Sequence, residues 1–379
     1  MKSIKILWSD WYQRLLKTSV VAFVLVSLSV SLCGAAWNWQ QSAPMLIAVL
    51  AQGNAITDPN AILRYSLPID NKAVRDMQGA IEDISNYLRG KRWGPIEKDV
   101  KTALKIVNSK ESDLLASVSG DRQSNAQAII AQIKDDLVRL QDAVKAQDKE
   151  NVWTIRRALL NNVTDLEELM VQGFPFEIPA EYANLPQLKG RATVDVETTQ
   201  GTMTMIVDGY SAPINGGNFV DLVNRGFYDG LPFTPLEDNF VVQTGDPPGE
   251  EAGFIDPKTK QYRAIPLEIL MKREELPTYG ITLEDAGIYL PDLALPFNAY
   301  GAVALARPSM DANGGSSQFF FFKFDNELTP PGFNLMDGRY SVFGYVVDGK
   351  EVLDKLTDKD KIISAKVVAG LDNLVQPQS

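Results

Sequence analysis

The side chains in this sequence best placed for contact chemistry are amides set among aromatic rings. Gln243 follows Phe240 in the stretch YDGLPFTPLEDNFVVQTGDP (Tyr228–Pro247), and Gln318 heads the run SSQFFFFKF (Ser316–Phe324). A primary amide both donates and accepts, so beside aromatic surface it suits gripping a peptide backbone, though either glutamine could simply close a loop. What is missing narrows the chemistry further. The chain has no histidine, which excludes Ser-His-Asp and Cys-His catalysis and any His-ligated metal. Its one cysteine, Cys33, falls in the leader, leaving neither a thiolate nucleophile nor an internal disulfide. A reaction that needs no proton transfer is the kind most easily accommodated.

The elements that must position these amides follow from the rest of the chain. At 379 residues it exceeds the size at which single cores stop growing, so two domains are expected after a leader. Hydrophobic residues at 45% and charged residues at 22% give a globular balance. A net charge of −11 without a long basic run argues against nucleic acid and against attraction to anionic membrane surfaces.

Residues 1–51 read as a signal or leader segment. Lys2, Lys5, Arg14 and Lys17 precede the apolar run TSVVAFVLVSLSVSLCGAAW, the order of a secretory signal. A second patch, APMLIAVLA, ends at Ala51, a small-residue cleavage site; cleavage after Ala36 is the alternative. The first run is also about long enough to span a bilayer as an uncleaved anchor. Either way the bulk of the chain is exported, with membrane contact only through the leader if it stays uncleaved.

Residues 52–172 read as helices. Val74, Met77, Ile81, Ile84 and Leu88 repeat at helical spacing, as do Trp93, Ile96, Val100, Leu104 and Val107. Ala126 to Val144 and Val152 to Met170 carry two further stripes. Short polar breaks between them imply antiparallel neighbours and a four-helix-type bundle. No inward carboxylate–histidine pairs are present, so the bundle reads as a scaffold or docking module and not as a metal site. Residues 173–189, rich in proline, form a linker whose Phe174 and Phe176 suit packing. From residue 190 to 379 the pattern changes to short β-type runs, beginning with a hairpin that turns at Gln200-Gly201. Many short strands with few helices suggest a closed β-barrel. The fold class expected is therefore multidomain α + β, bundle then barrel.

Over residues 190–370 the sequence resembles the cyclophilins, a family of peptidyl-prolyl cis-trans isomerases. Four motifs in the family's order carry the resemblance: Asn218-Phe219 with Gly226-Phe227-Tyr228-Asp229-Gly230; Phe233, Phe240, Gln243, Gly245 and Asp246; GSSQFF (Gly315–Phe320); and Asp337-Gly338-Arg339 with Val342-Phe343-Gly344. An exported helical domain joined to such a domain is similar to the large thylakoid-lumen cyclophilins. The resemblance implies a folding or assembly factor of the thylakoid lumen, or of the periplasm. It would bind proline-containing polypeptide segments, photosystem II subunits among them, and need no cofactor.

The resemblance also sets a problem. Aligning Phe233 with the phenylalanine of the family's Phe-His-Arg puts Pro235 where the arginine acts on the prolyl nitrogen. Proline carries neither charge nor donor, so isomerase activity is expected to be weak or absent unless Arg263 or Arg307 reaches the site from another loop. By position, Phe240, Val241, Gln243, Gln318, Phe320, Leu335 and Tyr340 correspond to the residues lining the proline site. The segment between Asp246 and Leu305 is longer than in compact members and reads as an insertion that could drape over the pocket. The bundle is expected to pack near that pocket, so a chain starting near Gly190 should bind peptide better. A competent isomerase and a structural assembly subunit acting through its bundle are the alternatives.

Overall fold

A computed structural model describes residues 56–235, 240–250, 252–323 and 334–377, with only the backbone given at Pro235. The leader, with its cleavage and anchor readings, lies outside the described residues. Among those described, no helix is long and apolar enough to cross a membrane.

The predicted stripes become long helices: α2 (Lys72–Leu88), α3 (Trp93–Ser109), α5 (Gln123–Lys145) and α6 (Lys149–Met170), with short α1 (Pro59–Ser66) before them and α4 (Glu111–Leu115) between. The long four pack in a ring, each on the next and the last on the first. Val74, Ile81, Val100, Ile133, Leu137, Leu159 and Val163 are buried in the core they share. Asn71 caps α2 by accepting from Val74 N at 3.1 Å, while its Nδ2 donates to Asp113 O at 2.8 Å and so ties α4 down. Asn71→Ala should therefore cost about 1–2 kcal/mol, read as a lower urea midpoint with an unchanged slope.

The second half is built on β2 (Arg191–Thr198), β3 (Gly201–Asp208), β4 (Thr234–Pro235), β5 (Val241–Thr244), β8 (Ala302–Leu305), β9 (Phe319–Phe322), β10 (Val342–Asp348) and β11 (Ile362–Ala369), with β6 (Glu268–Ile269) and β7 (Thr278–Tyr279) forming a separate short pair. The first eight make one antiparallel sheet, ordered β11-β2-β3-β10-β8-β9-β5-β4. The β2–β3 hairpin forms at its predicted turn, with Gly201 at φ +128. The inner face buries Val194, Met205, Val303, Phe319, Phe321 and Phe343 against Phe219 and Leu222 of helix α7 (Pro213–Asn224). Phe320 and Phe322 point the other way, into an outer cluster with Ala302, Ala304, Tyr345 and Phe297. A strand covered on both faces has no polar side, and this is why β9 reads as four consecutive phenylalanines.

The expected closed barrel is instead an open, curled sheet, because its edge strands β4 and β11 do not pair as a ladder. Only the chain leading into β4 touches β11: Gly230 N donates to Ile362 O at 2.8 Å and Ile362 N to Leu231 O at 2.9 Å. β4 is two residues long and holds Pro235, which has no N–H to extend a ladder.

The linker is not loose. Ile178, Tyr182 and Leu185 join the inner core, and β1 (Gln187–Leu188) pairs with β12 (Leu374–Val375). Helix α1 bridges the two halves: its Arg64 pairs with Glu82 of α2 at 2.9 Å, while Ile62 and Leu63 lie in the outer cluster of the sheet. Arg191 at the start of β2 fixes this contact by donating to Leu63 O, to Ser66 Oγ at 3.2 Å and to Asp208 Oδ2 at 3.1 Å.

Candidate functional site

Strand pairing decides which predicted site residues can meet. Gln243 of β5 stands opposite Phe320 of β9 on one side and opposite Thr234 of β4 on the other. Directly opposed residues share a face, and so do residues two apart, so Gln243, Gln318 and Phe320 come together on the outer face. Gln243 Nε2 donates to Gln318 Oε1. Gln318 Nε2 in turn donates to Asp246 Oδ1 at 3.0 Å and to Ala252 O at 2.9 Å. Gly245 makes this approach possible: a Cβ there would lie 2.4 Å from Ser317 O, and its φ of +91 suits glycine alone.

Val241 and Tyr340 pack against the same outer cluster, and Phe240 is 41% exposed at the entrance to β5. Phe320 itself is only 3% exposed. Phe297 stacks over it with parallel rings 6.1 Å apart, and Tyr340 meets it edge-on at 5.4 Å. Leu335, 71% exposed, lines a groove of about 280 Å³ with Ile288, Tyr289 and Leu290, and Asn334 and Asp337 line the same groove. The α1 residues Ile62 and Leu63 belong to the same outer cluster as Phe320, so the helical region does reach the face that carries the amides.

Two contributors had no legible role in the sequence. Phe297 comes from the long segment between Asp246 and Leu305, where nothing local marks it as the cover of another ring. Asp337 anchors it by accepting from Phe297 N at 2.8 Å, and Asn334 Nδ2 donates to Phe297 O at 3.3 Å. Burial raises the Asp337 carboxyl to about 6, against the pull of the backbone N–H groups it accepts from.

Arg263 donates to Asp221 Oδ2 at 2.7 Å and Asn218 Oδ1 at 3.2 Å, and its guanidinium lies 4.4 Å over the Phe254 ring. Arg307 stacks over Tyr340 at 5.2 Å, but all three of its nitrogens donate to backbone carbonyls, of Pro308, Ser309 and Arg339. Arg339 pairs with Glu284 at 2.6 Å. Each of these cations is held by partners of its own. Among the described residues no group of three or more acidic or cysteine side chains could hold a metal ion.

This fold and face define a class. Residues 193–370 match the model of the cyclophilin type peptidyl-prolyl cis-trans isomerases, and residues 58–171 match that of the CYP38-like, PsbQ-like domain of such isomerases. The chain belongs to the cyclophilin-type peptidyl-prolyl cis-trans isomerase family, in the branch carrying that helical domain. It is 64% identical over 367 residues to a thylakoid lumen peptidyl-prolyl cis-trans isomerase of Synechocystis sp., covering 97% of each chain. It is 41% identical over 342 residues to the chloroplastic peptidyl-prolyl cis-trans isomerase CYP38 of Arabidopsis thaliana, covering 87% of this chain and 78% of that one. A Cryptosporidium parvum cyclophilin solved with the dipeptide Ala-Pro aligns over 47% of this chain and 99% of its own, at 20% identity and a TM-score of 0.31. The export to the thylakoid lumen expected from the sequence agrees with the compartments of the first two relatives.

Proposed function

We propose that this protein is a folding and assembly factor of the thylakoid lumen that grips proline-containing segments on the outer face of its sheet while catalysing their isomerisation weakly or not at all. One observation carries the reading. The amides of Gln243 and Gln318 stand together beside Phe320, whereas position 235 offers no cation and Arg263 and Arg307 are tied to other partners. Rotation about an X-Pro bond faces a barrier of about 18–20 kcal/mol, which falls only if the twisted amide is bound better than the planar forms. Without a donor aimed at the prolyl nitrogen, the site binds both forms alike. The resemblance to the large thylakoid-lumen cyclophilins suggests photosystem II subunits as clients.

A protease-coupled assay on a proline tetrapeptide tests this. Loss of one preorganised donor commonly lowers rate by about 10²–10³, so kcat/KM should lie that far below a cyclophilin carrying Phe-His-Arg. Turnover equal to that cyclophilin overturns the reading in favour of a competent isomerase. Gln243→Ala should weaken peptide binding by about tenfold or more, the size of one net hydrogen bond; it is a better probe than Phe320→Ala, which would open a cavity under Phe297. If clients bind Gln243→Ala normally but not a chain lacking the helices, the protein is a structural subunit acting through its helical bundle.

A further inference from the structure

The nine methionines of the chain have very different surroundings. Met77 and Met170 are buried in the helical core, and Met203 and Met205 in the inner core of the sheet. Met271 packs against the small cluster around Leu283, and Met336 against the outer cluster of the sheet. Met310 alone among those described stands in water: it is 95% exposed and packs against none of these clusters. It lies in the loop 307–314, whose shape owes nothing to the thioether. Arg307 Nη1 donates to Pro308 O at 3.0 Å, Asp311 N to the same carbonyl at 3.2 Å, and Asp311 Oδ1 accepts from Asn313 N at 2.8 Å. These bonds run through backbone and neighbouring side chains, so a change at the Met310 sulfur removes no partner. A single exposed apolar side chain is ordinary on a surface, but a thioether is also a two-electron reductant.

We propose that Met310 is a reversible oxidation site that takes one oxygen atom from a hydroperoxide while the fold stays intact. A lone pair on Sδ attacks the outer oxygen of the peroxide. The S–O bond forms as the O–O bond breaks, and the departing oxygen keeps the bonding pair and takes the proton. Sulfur is oxidised by two electrons, and the peroxide is reduced to water or to an alcohol. The sulfoxide is polar and chiral where the parent was apolar. With so little protein against the side chain to favour one side of the sulfur, both epimers form in similar amounts. A buried methionine would have to place the same oxygen in a close-packed core, so its reaction waits for local opening.

The test treats the folded full chain with hydrogen peroxide and follows each methionine by peptide mapping. Met310 should react at least about tenfold faster than Met77, Met170, Met203 or Met205, as exposure dictates. The two classes of methionine sulfoxide reductase each act on one epimer, so either alone should restore about half of the Met310 sulfoxide and both together all of it. Chain oxidised at Met310 should keep the urea midpoint of untreated chain. Met310→Leu should remove the fast phase of peroxide consumption and leave the other methionines reacting as before. If Met310 reacts no faster than the buried four, the proposal is overturned. A lowered midpoint after oxidation also overturns it, because the thioether would then be packed against something. Recovery by one reductase class alone overturns it as well, since the sulfur would then be held against a surface that selects one epimer.

Discussion

Arg191→Met should lower stability by about 3–5 kcal/mol and release helix α1 from the sheet. Asp208 is fully buried and accepts from Arg191 at 3.1 Å, from Ser66 Oγ and, through its other oxygen, from Tyr210 N at 2.9 Å. Removing the arginine leaves a buried carboxylate without its counter-ion, which is far costlier than never having had the pair. It also strips Leu63 O and Ser66 Oγ of a donor and breaks the contact to Glu168 at 3.4 Å. Urea denaturation measures the loss, and hydrogen exchange at Ile62 and Leu63 should rise more than at Ile133 or Val163 in the helical core. Uniform change across both regions would show that Arg191 is not the clamp. Because the damage comes from the stranded charge, Asp208→Asn in the Arg191→Met background should recover part of it.

Stability should also fall as pH rises from about 4.5 to 7. Glu167 is buried beside Arg75 at 3.2 Å, and Glu268 is buried at the start of α7, where it accepts from Ile214 N at 3.0 Å and Asn215 N at 2.8 Å. In both, burial outweighs the stabilising partners and raises the carboxyl to about 7 from an ordinary 4.5. The folded chain thus holds these protons after the unfolded chain has released them. Their contribution is complete below pH 4.5, declines as the unfolded carboxyls ionise, and is gone above the folded value of about 7. At 1.36 kcal/mol per unit, each group accounts for about 3 kcal/mol across that window. Midpoints of urea unfolding should be higher at pH 5 than at pH 8. Glu167→Gln should flatten the profile by the share of one group; an unchanged slope would show that Glu167 does not titrate there.

The parts of this fold that could be read from sequence are those written by local periodicity. The stripes of α2 and α5 and the alternation of the β2–β3 hairpin repeat over enough residues to declare themselves. Helices α1 and α4, at 8 and 5 residues, are too short for a period to register. Gln243 and Gln318 were legible as a pair of suitable chemistry, but their meeting depends on the β5–β9 register, which no local signal encodes. Leu335 corresponds by position to a pocket residue, but the groove it shares with Tyr289 and Leu290 joins segments about forty-five positions apart, which no local signal encodes. Arg191 and Asp208 belong to paired strands, yet their bonds to Leu63 and Ser66 join residues more than a hundred positions apart. Polar contacts of that span have no signature in composition or spacing.

The parity of β9 has a consequence for how such a protein can change over time. Phe319 and Phe321 answer to the interior, whereas Phe320 and Phe322 answer to the outer cluster, where they are 3% and 4% exposed. Mutational drift at either pair must therefore be matched by a change in its own layer, and the two layers accept such changes separately. Two independent sets of partners thus constrain alternate letters of a single short word.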